Sequence, residues 1–220
     1  MLKHPATPYV APFVLFVVFL AAGDLLRLGE WEHPFRCAVL AAGIWFFSRR
    51  VLALKPHYAF ASILLGIAVF VIWVAPDALW PGYRTHWLFS NSLLGKPASS
   101  LPEGFHLSPM VLIFRSVRAV ILVPIIEELF WRGWLLRWLI DNDFEKVPLG
   151  QFRLPSFLIA SALFASEHGP YWEVGLLAGF AYNWWITRTK SLADCILAHA
   201  VTNGILSAYV IWGKHWEYWL

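Results

Sequence analysis

The stretch "VPIIEELFWRGWLL", residues 123–136, places Glu127, Glu128 and Arg132 inside a run of Val, Ile, Leu, Phe and Trp. Its neighbours are of the same kind, and the apolar character runs from 109 to 140. About 20 predominantly apolar residues suffice to cross the hydrocarbon core of a bilayer. An ionisable group at that depth costs from about 2.5 kcal/mol upward. Three charges placed there need a reason.

The rest of the chain sets the same environment. It has 220 residues, 59% hydrophobic and only 14% charged, where a soluble domain carries roughly 25% charged residues. Many of its tryptophans, among them Trp31, Trp80, Trp87, Trp172 and Trp212, stand near the ends of apolar stretches, as in the aromatic belt of a membrane interface. The sequence therefore reads as one integral membrane domain over 1–220, an all-α, polytopic transmembrane bundle of seven to eight helices. Spans are expected at about 9–28, 34–54, 58–79, 109–140, 154–170, 172–188 and 191–212. The first is read as a retained helix rather than a cleaved signal peptide, because its apolar run continues past Asp24. Pro124 removes a backbone donor, so a kink or a break is expected inside 109–140, and a break would make the eighth segment. Residues 80–108 are rich in Gly, Pro and Ser and read as a long loop.

Charge bounds the function further. The net charge is +3, with no basic cluster interleaved with aromatics, which excludes nucleic acid as a partner. With 109–140 as a single crossing, the side of the N-terminus holds nine Lys and Arg against five on the other. The positive-inside rule then puts the N-terminus in the cytoplasm and the C-terminus outside. Cys37 and Cys195 lie in apolar runs and read as buried small hydrophobes rather than a disulfide or metal pair.

Ionisable residues within spans are functional suspects. Asp24, Glu167 and Asp194 lie near predicted ends, where headgroups or water satisfy them. Arg115 and Arg118 share a helical face and would pair with carboxylates or reach phosphates. Glu128 and Arg132 are four apart in the favourable order, which makes an ion pair on one face. Glu127 points about 100° away and is left over, a carboxylate suited to general-base work. Two further pairs stand at helical spacing on later spans: Phe164 with His168, and His199 with Asn203. Polar groups on three helices can converge on one cavity. Water held between Glu127 and His168 would lose a proton, and His199 with Asn203 would donate to an oxyanion, the parts that peptide hydrolysis requires.

Glu127-Glu128-x-x-x-Arg132, Phe164-x-x-x-His168 and His199-x-x-x-Asn203, in this order and each in an apolar helix, resemble the three motifs of the CAAX-protease and bacteriocin-processing (CPBP, or Abi) intramembrane proteases, which include the type II CAAX prenyl endopeptidases. The resemblance covers about 109–212, the expected protease core. It implies Glu127 as general base, His168 as its partner in activating water, and His199 and Asn203 as the groups that polarise the carbonyl. Glu128, Arg132 and Phe164 would support them. It further implies an endopeptidase acting on a membrane-presented, prenylated or lipid-anchored protein in a bacterial inner membrane, with the exosortase-associated branch suggested by the compact length.

The chain has no HExxH zinc signature, and asparagine is an unusual zinc ligand. The expected mechanism needs no metal; if a divalent ion such as zinc were held, Glu127, His168 and His199 would be its ligands. The rival readings are a catalytically silent membrane scaffold or immunity-type binding protein, and a small transporter using the glutamates as a proton relay. The base-plus-oxyanion set favours proteolysis over both, and no repeated halves suggest a transporter.

Overall fold

The computed structural model describes residues 4–22, 28–102 and 104–219. Asp24, Lys3 and Arg27, which entered the reading above, lie outside them. The described residues form seven helices and no strand: α1 Thr7–Ala22, α2 Glu32–Gly43 with a π-helical continuation Ile44–Ser48, α3 Ala59–Leu79, α4 Pro109–Trp138, α5 Leu154–Ser166, α6 Trp172–Thr189 and α7 Leu192–Gly213. Helices α3, α4 and α7 are each long and apolar enough to cross a membrane. The chain is an all-α bundle of an integral membrane protein.

The expected break at Pro124 does not occur. Helix α4 runs for 30 residues, and the turn before the proline, Arg118–Leu122, widens to π-helix. A π turn lets the i−4 carbonyl stand clear of the pyrrolidine ring, so the missing donor is absorbed without ending the helix. A second π segment, Leu129–Leu135, carries Arg132. The second span is shorter than read, closing at Ser48 rather than 54. The fifth closes at Ser166, so His168 sits in the turn that follows rather than on the helix.

Helices α3 and α7 lie side by side and parallel. At one end Asp194 accepts the backbone N–H groups of His57 and Tyr58 at 2.8 and 2.7 Å and the Ser62 hydroxyl at 2.9 Å. At the other the Tyr218 hydroxyl, just past α7, donates to Asp77 of α3 at 2.9 Å. Between them Gly66 lets the backbones touch: a Cβ there would collide with the carbonyl oxygen of Ala198, and the Gly66 carbonyl accepts the Thr202 hydroxyl at 2.9 Å. Small residues of this kind are how apolar helices approach closely inside a bilayer. Helix α4 runs antiparallel to α7, with Gly133 near Leu192 at one end and the Ala119 carbonyl bonded to Asn203 further along. The main core joins α1, α2, α4 and α7 through residues such as Phe13, Leu40, Ile126, Leu129 and Ala198. Cys37 is free and buried in it, and Cys195 is free and buried in a separate cluster with Leu136, Ala160 and Ile186.

Candidate active site

Glu128 and Arg132 are fully buried and joined at 3.1 Å, one turn apart on α4. The sequence reading made them a self-sufficient pair, and the structure corrects this. The same Glu128 oxygen, Oε1, also takes Nδ1 of His199 at 2.9 Å, while Oε2 has no partner among the described residues. Arg132 in turn donates through Nε to Oδ1 of Asn183 at 3.0 Å, and its guanidinium lies 4.7 Å from the centre of the Phe164 ring. The reason is geometric: helices α4, α6 and α7 meet here, and each brings one polar residue to the same carboxylate or guanidinium. Glu128 therefore supports the His199 ring as well as Arg132.

That support fixes the chemistry His199 can offer. With Nδ1 against a carboxylate, Nδ1 carries its proton and Nε2 is the free nitrogen. The ring stacks on Tyr182, centroids 5.1 Å apart, whose hydroxyl donates to Thr202 at 2.8 Å. To donate from Nε2 as well, His199 must carry a proton on both ring nitrogens. His168 is held differently. Its Nδ1 lies 2.7 Å from the Phe164 carbonyl, which can only accept, so Nε2 presents a lone pair. The turn that carries it is set by Gly169, with φ at +49°, a conformation that glycine adopts without steric cost. Gly175 of α6 leaves room for the ring, since a Cβ there would stand 3.1 Å from Nδ1. Asn203 spends one amide proton on the Ala119 carbonyl at 2.8 Å and keeps the other.

Glu127, Phe164, His168, His199 and Asn203 all line one cavity of about 240 Å³. Glu127 is buried, and its Oε2 has no hydrogen-bond partner among the described residues. Glu128 and Arg132 lie outside the cavity wall. The cavity also takes in residues that the sequence reading passed over or placed elsewhere. Glu167, read as reaching headgroups or water, lines it, and so do Trp73, Tyr182, Thr202, Arg115 and Arg118. Arg115 donates to the Ser100 hydroxyl at 2.8 Å and packs over Trp219. Asn183 carried the same signal as Asn203, a lone amide in an apolar helix, and was equally findable. Among the described residues no three His, Cys, Asp or Glu side chains stand together as metal ligands, so Glu127, His168 and His199 do not close into the ligand set named above.

The model of a protease family, described as Rce1-like, type II CAAX prenyl endopeptidase Rce1-like, matches residues 109–205. That segment begins at the start of α4 and ends just past Asn203, so it holds all three motifs, and it supports a CAAX-type membrane protease in general terms. The first three helices lie outside the match. No curated protein and no solved structure matches the chain.

Proposed function

We propose that the chain is an endopeptidase that hydrolyses a peptide bond of a membrane-presented protein, using water activated by Glu127 and His168. One observation carries the reading. A buried carboxylate oxygen with no partner among the described residues, the free Nε2 of two histidines and a spare amide proton come from different parts of the bundle to one cavity. Water there donates one proton toward Glu127 and the other toward Nε2 of His168. Its oxygen attacks the scissile carbonyl, and the oxyanion that forms is met by His199 and Asn203. Glu127 then carries the proton taken from water and delivers it to the leaving amine.

The test is Glu127→Gln, which keeps shape and removes the base. Cleavage of membrane-tethered proteins, read as new termini in the membrane proteome of cells producing the chain, is expected to fall at least about a hundredfold. The variant is expected to accumulate in the membrane as the parent does. Normal processing by this variant overturns the mechanism. Because the reading requires no metal, a zinc chelator such as 1,10-phenanthroline is expected to leave processing unchanged, and loss of activity with recovery on added zinc would reassign Glu127 and the histidines as ligands.

A further inference from the structure

The three long helices define two membrane faces. One holds the start of α3, the end of α4 and the start of α7. The other holds the end of α3, the start of α4 and the end of α7, together with loop 80–108. The cavity leans wholly toward the second face. At that end it is lined by the buried side chains of Tyr171 in the turn between α5 and α6, of Tyr218 and Trp219 beyond α7, and of Arg115 two turns into α4. Toward the first face it ends on Glu127 and His199, and the buried Glu128–Arg132–Asn183 network fills the space behind them.

The two faces differ in charge. Among the described residues the first carries Arg49, Arg50 and Lys55 between α2 and α3, Arg137 in the last turn of α4 with Lys146 and Arg153 beyond it, and Arg188 in the last turn of α6 with Lys190 just past it. The second carries Arg36, Arg84, Lys96 and Lys214. Two of those four are spent on acids of the same face: Arg36 pairs with Glu32, and Arg84 with Asp77 and Glu173. All the connections counted are short enough for the positive-inside rule to apply, and α4 is continuous, so 109–140 is the single crossing that the count takes it for. The basic face is then cytoplasmic.

We infer that the cavity opens on the extracytoplasmic side of the membrane, so that the bond cut lies in an exported segment of a membrane-anchored protein, at or just outside the outer leaflet. This rests on the proteolytic reading for the cutting, and on charge and cavity placement for the side. A segment reaching Glu127 from that side passes Tyr171, Tyr218 and Trp219, the aromatic side chains that line that end of the cavity. It enters without carrying charge across the basic face.

Two arms test it separately. Cys37 and Cys195 are buried, so single reporter cysteines placed by Lys96→Cys and Lys146→Cys, both at exposed positions, can be labelled in spheroplasts with a membrane-impermeant maleimide. Lys96→Cys is expected to label at least about tenfold more than Lys146→Cys before lysis, and the two equally after it. The reverse ratio overturns the inference. In the second arm, termini present with the parent chain and absent with Glu127→Gln are expected to map to extracytoplasmic segments of their proteins. Termini in cytoplasmic segments overturn the inference while leaving proteolysis standing. If no terminus differs, the proteolytic reading fails and the substrate claim fails with it, whatever side the labelling gives.

Discussion

Two buried arginines, Arg132 and Arg84, each hold a polar network together, and they are not equally visible in the sequence. Arg132 lies behind the cavity wall, one turn from Glu128 on the same helix. Arg84 lies at the end of the bundle that holds loop 80–108. It reaches Asp77 at 2.8 Å, Glu173 at 2.8 Å and the Pro170 carbonyl at 2.6 Å, with Tyr171 under its guanidinium at 4.0 Å. The Tyr218 hydroxyl completes the cluster on Asp77. The first network is seeded by an i,i+4 pair and could be read from spacing alone. The second joins positions 77, 84, 170, 173 and 218, which only the folded bundle brings together. Local spacing finds a charge pair; it does not find a clamp.

The sharpest way to break the comparison is Glu128→Gln. It leaves Arg132 buried without a counter-charge and frees the His199 ring, a loss of about 3–5 kcal/mol when one partner of a buried pair is removed. A large drop in folded yield and in thermal midpoint in detergent is expected, and the surviving protein is expected to cleave at least about a hundredfold more slowly. Wild-type stability together with wild-type cleavage would remove the double role given to this carboxylate.

Arg84→Gln tests the other network and is expected to cost less, about 2–3 kcal/mol, because water reaches the partly exposed acids and relieves them. Cleavage is expected to persist, since none of the catalytic set touches Arg84. Burial alone would lower the Arg84 guanidinium, but the carboxylates of Glu173 and Asp77 outweigh it and hold it above its ordinary value. A group raised in the folded state stabilises fully below its unfolded pKa and loses that contribution only as pH rises through the folded value. The stability difference between Arg84→Gln and the parent is therefore expected to stay flat from about pH 6 to pH 9 in thermal melts. A difference that fades within that window would contradict the clamp.

The smallest effect belongs to Tyr218→Phe. It removes one hydrogen bond while Arg84 still holds Asp77, so about 1 kcal/mol is expected from the same melts. Burial, with Asp77 beside it, pushes the Tyr218 hydroxyl well above the ordinary tyrosine range, so it stays protonated as a donor. If this variant destabilises as much as Arg84→Gln does, the tyrosine rather than the arginine is the centre of the clamp.

Much of the candidate site was legible because its motifs are local. Glu127, Glu128 and Arg132, Phe164 and His168, and His199 and Asn203 each sit within one helical turn, and polar groups in apolar helices stand out by their cost. What spacing could not say is which polar group meets which across helices. It paired Glu128 with Arg132 and missed His199 on the same oxygen. It placed Glu167 at headgroups or water, and Glu167 is exposed, but spacing could not say that it also borders the cavity. Of the kink or break expected at Pro124, the break does not occur, because a proline's cost is read on a regular α-helix and the π turn ahead of it is a local rearrangement that sequence spacing does not encode.

By itself the sequence determined the environment, the helical spans to within a few residues and the side chains able to do chemistry, because hydropathy and 3.6-residue periodicity are local properties of the chain. The tertiary structure alone decided that those side chains share one cavity, that Glu128 serves two partners, and toward which face the cavity leans. Those depend on how antiparallel α4 and parallel α3 set their residues against α7, and contacts between helices are fixed by packing, where small residues such as Gly66 allow close approach.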